Sequence, residues 1–468
     1  MKLTLYIACL LVLPAIGQGE IGRIFEELPE DTLIKKELRW HSSLKPAIRV
    51  GNNTKNELHV SGLADINYLY DTDSKVRMGA GAEFSALLEN KWHIRLAAVQ
   101  GYTTTYSLPK SYLSKTIDQG ALYTDIRSRV SYTPNHIFNF QVGVDHNYLG
   151  EGARSLLLSD YGNPYPFGLI RANFWRFEYA VLYQFMRERD QQRWEGKFAS
   201  SHHISFNAAK WLNIGIFETV IFQPKDTLLN RGFDVEYLNP FVFYRPQEYS
   251  LGSSDNVLLG LDFSADIKNY TIYGQMILDE FYLSELRART GWWANKFGGQ
   301  LGTKARYSIG KHKFFCRAEY NFVRPYTYAH LSEDLNYGNQ GYGLAHPYGA
   351  NFMEALGEIK WNHEKWSARL FVNYFLYGRS KDGKNYGGNI YEPYTNRPYE
   401  YGHFIGQGDQ LNGTNIILTS AYRITKHGNL QAFMENHLRL RYSKSGNTSN
   451  YMFVMGIRSL LWNDYRNY

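Results

Sequence analysis

Met78, Ala80, Ala82, Phe84, Ala86 and Leu88 alternate with Arg77, Gly79, Gly81, Glu83 and Ser85. After the turn "ENK", Trp92, Ile94, Leu96 and Ala98 alternate with His93 and Arg95. A period of two puts each set on its own face of a strand, so these strands carry an apolar face and a polar face with charge in mid-strand. The pattern returns at Phe138, Phe140, Val142 and Val144 against Asn139, Gln141, Gly143 and Asp145, and at "LDFSADIKNYTIYGQ", "GEIKWNHEKWSARLFVNYF" and "SAYRITKHGNLQAFMENHLRL". Strands of this kind suit a wide barrel whose outside meets lipid and whose lumen is wet.

Loop lengths point the same way. Tight turns at Glu89 to Lys91, Pro134 to His136, Lys268 to Asn269, Asn362 to Lys365 and Thr425 to Asn429 are separated by long irregular segments, 107–121, 147–168, 224–256, 279–298, 323–353 and 379–413. Short periplasmic turns and long external loops are the outer-membrane pattern. The alternation fails between about Arg187 and Asn213, and an even total of about 16 to 18 strands is expected. Trp175, Phe177, Tyr179, Val181, Tyr183 and Phe185 oppose Arg176, Glu178, Ala180, Leu182 and Gln184, which predicts a strand whose first aromatics stand in the interfacial girdle, directly below the loop "RSLLLSDYGNPYPF". "YMFVMGIRSLLWNDYRNY" ends the chain as a last alternating segment with a terminal aromatic, Tyr468.

Composition supports export and β structure. The 468 residues include 38 Tyr and 41 Gly at 16% aromatic content, a bias that favours strands. The net charge of +7 is dispersed rather than run together, so nucleic acid is not an expected partner. "MKLTLYIACLLVLPAIGQ" reads as a secretory signal with Ala15 and Gly17 before a cut at Gln18. Cleavage there removes Cys9 and leaves Cys316 as the one thiol, which excludes a disulfide framework. No later stretch reaches the ~20 apolar residues of a spanning helix. The expected organisation is a signal peptide over 1–17, a periplasmic or plug segment over 18–56 and the barrel over 57–468.

Seven ordered blocks carry a resemblance. "HSSLKP", "EGARSLLLSD", "EYLNPFVFYRPQEYSLGSSDNVLLGLD", "LDEF", "GWWANKFGGQLG", "AEYNFVRPYTYAH" and "AHPYGANFMEALGE" resemble the capsule assembly Wzi family, and more closely its RemB-type branch from gliding bacteria. The chain departs from that pattern at Ala153, where a longer side chain is usual. The resemblance implies an all-β, antiparallel transmembrane barrel of roughly 18 strands, an N-terminal helical plug at the periplasmic mouth, and a role in holding surface polysaccharide, with a link to gliding motility. "DTLIKKELRW" suits a short amphipathic helix of such a plug. Expected partners are extracellular polysaccharide, outer-membrane lipid and lipopolysaccharide, and the barrel-assembly machinery during biogenesis.

No chemistry is expected. Asp279 and Glu280 are adjacent, point to opposite faces of a strand, and read as a loop-end pair with Arg287 or Arg289 as counter-charge. Ser253, Ser254 and Asp255 lack a nucleophile elbow. His202, His203, His330 and His346 lack metal-ligand spacing, so neither a metal nor a cofactor is expected. Sugar binding fits better, because aromatic rings stack on sugar faces while Asp, Asn, Arg and Glu hold hydroxyls. The loops "NKFGGQLG", "VRPYTYAHLSEDLNYGNQGYG" and "NYGGNIYEPYTNRPYEYGHF" interleave such residues densely. The candidate polysaccharide-binding residues, all within the family-like blocks, are Arg154, Asp160, Arg245, Glu248, Asp255, Asn256, Trp292, Trp293, Asn295, Lys296, Arg324 and His346; the alternative for some of them is to hold the barrel shut through buried ion pairs. A porin or substrate-specific channel remains the second reading, and a membrane-embedded hydrolase the third.

Overall fold

The computed structural model describes residues 48–459 except 54–55, 105–114, 118–119, 191–192, 225–231, 234, 240–254, 425–429 and 445. The expected signal peptide, the expected plug segment up to residue 47, the turn at Thr425 to Asn429 and the terminal Tyr468 lie outside the described residues. Eighteen antiparallel strands follow one another around the wall: β1 (Asn56–Tyr70), β2 (Ser74–Leu88), β3 (Trp92–Thr103), β4 (Gly120–Tyr132), β5 (Phe138–Asp145), β6 (Tyr165–Phe174), β7 (Phe177–Asp190), β8 (Arg193–Ala209) and β9 (Leu212–Phe222). They continue as β10 (Asn256–Ile267), β11 (Tyr270–Glu280), β12 (Lys296–Ile309), β13 (His312–Val323), β14 (Phe352–His363), β15 (Trp366–Arg379), β16 (Asp409–Arg423), β17 (Leu430–Ser443) and β18 (Gly446–Ser459). Pairing of β1 with β18, Asp65 opposite Arg458 through Tyr70 opposite Phe453, closes the sheet. Closure removes the edges that would otherwise expose unpaired backbone to lipid.

Alternation decides which side chains meet lipid. Met78, Phe84, Leu96, Phe140, Val142, Ile216, Leu261, Leu301, Leu370 and Met434 stand exposed on the outer wall. Their neighbours Glu83, Arg95, Asn139 and Gln141 are buried in the lumen. An apolar outer surface of this extent, without a helix long and apolar enough to span among the described residues, is that of an outer-membrane barrel. The lumen charges are paired across strands: Arg95 with Glu83 at 2.9 Å, Arg129 with Asp145 at 3.3 Å, Arg369 and Arg317 with Glu358 at 2.6 and 3.3 Å, and His203 with Asp262 at 2.8 Å.

One end has tight turns, several with left-handed residues such as Glu89, Asn90, Lys268 and Glu364. The other end carries the long segments between β3 and β4, β5 and β6, β9 and β10, β11 and β12, β13 and β14, and β15 and β16. Two expectations need correction here. Trp175 and Arg176 form the tight turn between β6 and β7, so Trp175 lies at the opposite end from the loop that precedes β6. Arg176, expected on the polar strand face with Glu178, is exposed at that turn, while Glu178 is buried. The stretch where the alternation fails holds β8. Its outer face near the long-loop end carries Ser200 and His202 where lipid would demand apolar residues, and Phe233 with the turn Val235–Leu238 lies on the outer wall there. Phe233 packs 5.2 Å from Phe198 and 5.1 Å from Phe222, and the Tyr183 and Ser200 hydroxyls donate to the carbonyls of Leu238 and Tyr237.

Candidate functional site

The segment between β5 and β6 folds into the barrel rather than standing over the rim. Leu156, Leu157 and Leu158 are buried to 0%, 0% and 3% exposure, in a cluster with Phe217, Ile277, Tyr328, Tyr337 and Phe352. Polar contacts fix the loop's shape. Ser155 Oγ donates to Leu149 O at 2.6 Å and accepts the amides of Leu157 and Leu158, and Gln275 on β11 bridges Leu149 O and the Leu156 amide. A side chain at Gly152 would collide with Arg154 O and the Glu319 carboxylate, each 2.5 Å from its Cβ position, so glycine is required at this close approach.

Arg154 is 1% exposed and reaches Glu354 on β14 at 3.3 Å. Glu354 also accepts from Asn373 at 2.6 Å and faces His346 Nε2 at 2.8 Å. Burial pushes the His346 imidazole down, outweighing the opposing pull of Glu354, with Arg154 pushing the same way; a neutral ring donates from Nε2 and accepts the Tyr348 amide at Nδ1. Two of the predicted residues therefore meet at a carboxylate that was not predicted, in a sealed network.

The segment between β13 and β14 closes over this loop. The Tyr328 and Tyr337 hydroxyls donate to Leu156 O and Leu157 O at 2.7 and 2.6 Å, and Ser159 is held by Leu344 and Ala345 carbonyls. Asp160 is buried within it. Asp255 accepts from Tyr237 at 2.7 Å, and Asn256 donates to Leu335 O at 2.9 Å. Arg245 and Glu248 lie outside the described residues, as do Ser253 and Ser254.

The other five predicted residues come together where the β11–β12, β13–β14 and β15–β16 segments meet, with Asn295 and Lys296 buried and Trp292, Trp293 and Arg324 half-buried. The β11–β12 and β15–β16 segments pair through Trp293 N to Glu400 O, Gly402 N to Thr290 O and His403 N to Gly291 O. Gly291 has φ +67° and lies against the backbone of Gly402 and His403. Asn295 accepts the Tyr282 amide at 2.7 Å, and Arg324 donates to the carbonyls of Asn295 and Trp292. Lys296 bonds Glu280 at 2.9 Å and lies 3.9 Å from Asp279; it, not Arg287 or Arg289, is the counter-charge of that pair. Its ammonium sits 4.3 Å from the Tyr394 ring centre. Tyr394 packs 4.7 Å from Trp293, whose ring lies 4.2 Å from the Arg397 guanidinium. Tyr282 supports Trp292 edge-on at 4.8 Å, and Tyr399 lies 4.5 Å from His403. Burial holds the His403 imidazole below its ordinary value.

The faces of Trp293 are taken up inside this cluster. Trp292 is half-buried, and Tyr282, Tyr399, Tyr401 and Phe404 are exposed, with Arg397, Arg324 and Glu400 in the same segments. Tyr394, Arg397, Tyr399, Tyr401 and His403 are the residues the sequence reading did not name, although it singled out the loop "NYGGNIYEPYTNRPYEYGHF" that holds them. His202 and His203 point apart: His203 pairs with Asp262 in the lumen, and His202 lies 5.8 Å from Tyr179 on the outer face. Among the described residues no group of His, Cys, Asp and Glu is arranged to hold a metal.

No protein-family model and no curated protein matches the chain. Among solved structures it is similar to Wzi of Escherichia coli, described as an outer-membrane protein involved in group 1 capsule assembly and a carbohydrate-binding β-barrel. The TM-score is 0.59 at 13% identity, over 97% of this chain and 95% of that one. OprD of Pseudomonas aeruginosa aligns with a TM-score of 0.45 at 9% identity, over 89% and 98%, and OccK2 of Pseudomonas aeruginosa in complex with glucuronate with 0.44 at 10%, over 86% and 98%. The architecture is therefore that of an outer-membrane β-barrel, shared along nearly the whole chain with a capsule-assembly barrel.

Proposed function

We propose that this barrel binds extracellular polysaccharide at the aromatic surface formed by its β11–β12, β13–β14 and β15–β16 segments, and that it anchors that polymer without chemistry. The observation that carries the reading is the convergence of Trp292, Tyr399 and Tyr401 with Arg324 and Arg397 on a cap fixed by paired backbones. Rings at fixed positions stack on sugar faces, and forked guanidinium groups bind hydroxyls or uronate carboxylates. The likeness to a carbohydrate-binding barrel supports the same reading, and the RemB-type resemblance extends it to surface polysaccharide used in gliding.

The test is polysaccharide retention by purified barrel, using surface polysaccharide from the producing cells. Trp292→Ala and Tyr399→Ala should each weaken binding about tenfold, the scale of a lost stacking contact, with unchanged heat-modifiable migration on a detergent gel. Wild-type barrel that retains no polysaccharide would end the reading; equal binding by both variants would move the site elsewhere. Spreading of a deletion strain on agar reads out the link to gliding.

A further inference from the structure

We infer that Phe281 and the helix α1 (Leu283–Ala288), with Arg289 at its end, form a foot on the outer leaflet that takes a phosphorylated glycolipid headgroup. The segment begins where the lipid-facing surface ends. Phe281 packs edge-on to Phe297 at 6.1 Å and Phe297 edge-on to Phe322 at 6.4 Å, while Phe322 lies tilted against Tyr320 at 6.4 Å. Register places Phe297, Phe322 and Tyr320 on the face of Leu301, which is 58% exposed on the outer wall. The foot thus continues an aromatic belt of the kind that marks the membrane interface.

No residue of α1 is buried, and Leu283 and Leu286 remain 47% and 39% exposed. Apolar side chains left bare beside a lipid-facing belt are suited to the headgroup boundary. Charge selects the headgroup. Arg287 and Arg289 are exposed and form no ion pair among the described residues, and the helix's one acid, Glu285, is engaged by the Thr290 hydroxyl at 2.8 Å. Arg289, at φ 54°, ends the helix with its amide on Leu286 O at 3.1 Å. Two exposed guanidinium groups without an ion pair among the described residues, on the same short segment as two exposed leucines, match a phosphate at the edge of acyl chains.

The full barrel in mild detergent, titrated with lipid A, tests the foot. Arg287→Glu with Arg289→Glu should weaken lipid A binding about tenfold or more, and Leu283→Asn with Leu286→Asn should weaken it as well, both with normal heat-modifiable migration. Inorganic phosphate should not compete, because it lacks the apolar half of the contact. Unchanged affinity in the arginine variant, or full competition by phosphate alone, would overturn the foot. Tyr399→Ala should leave lipid A binding intact, so the outcome is independent of the polysaccharide site.

Discussion

Arg154 is a charge whose every neighbour is fixed. Its guanidinium pairs with Glu354, its amide donates to Glu319, and its carbonyl accepts from Gln300 and Tyr148. An arginine in a Gly- and Ser-rich loop reads from sequence as a ligand contact or as a buried tie with equal ease, because the partner carboxylate lies 200 positions away. Glu354 stood in the sequence only as one residue of the block "AHPYGANFMEALGE", with nothing to mark it as the partner. Arg154→Ala should leave Glu354 buried with too little compensation and cost about 3–5 kcal/mol, seen as a lower temperature for conversion to the slow-migrating form. Arg154→Met combined with Glu354→Gln should recover most of it, since two neutral groups then share the site. Lost polysaccharide binding at an unchanged conversion temperature would instead return Arg154 to a contact role.

Elements were legible where their outer face is bare to lipid and obscure where it is covered. β2, β3 and β5 alternate cleanly, whereas the outer face of β8 lies under Phe233 and its neighbours and could therefore keep Ser200 and His202. The lid between β13 and β14 was recognisable as a long loop but not as a packed one, because Tyr326, Tyr328 and Tyr337 look the same in a solvated loop and in a core. Acid should loosen it through His330, whose pKa burial, with Lys296 and Lys197 reinforcing it against Glu280, pushes down to about 4. In a released lid the same imidazole titrates near its ordinary value of about 6.5. Released lid thus binds more protons between these values, so the contribution is fully present above about 6.5 and is lost as pH falls toward 4. Hydrogen exchange across 324–351, corrected for its intrinsic pH dependence, should be faster at pH 5 than at 7.5, while β12 and β13 stay protected. His330→Gln should reduce that difference; an identical difference in the variant would remove His330 as the cause.

At the scale of the molecule, strand alternation and turn spacing were enough to foresee a closed barrel, but not what fills it. A barrel of about 16–18 strands leaves an aqueous channel when nothing enters its lumen. Here the β5–β6 loop enters from the long-loop end, places three leucines among lumen side chains and is roofed by Tyr328 and Tyr337. Paired charges such as Glu83 with Arg95 and Glu358 with Arg317 and Arg369 line the wall below. Reconstituted in planar bilayers, the protein should therefore pass only small, infrequent currents. Replacing residues 150–161 by a short Gly-Ser link should remove the leucine cluster and the hydroxyl contacts of the roof together, giving steps of the size of open porins while migration on a gel remains heat-modifiable. Large steady currents from the unaltered protein would show an open lumen and favour a channel over an anchor. A folded deletion variant that stays closed would shift the block to the segment 18–56, the plug expected at the opposite mouth.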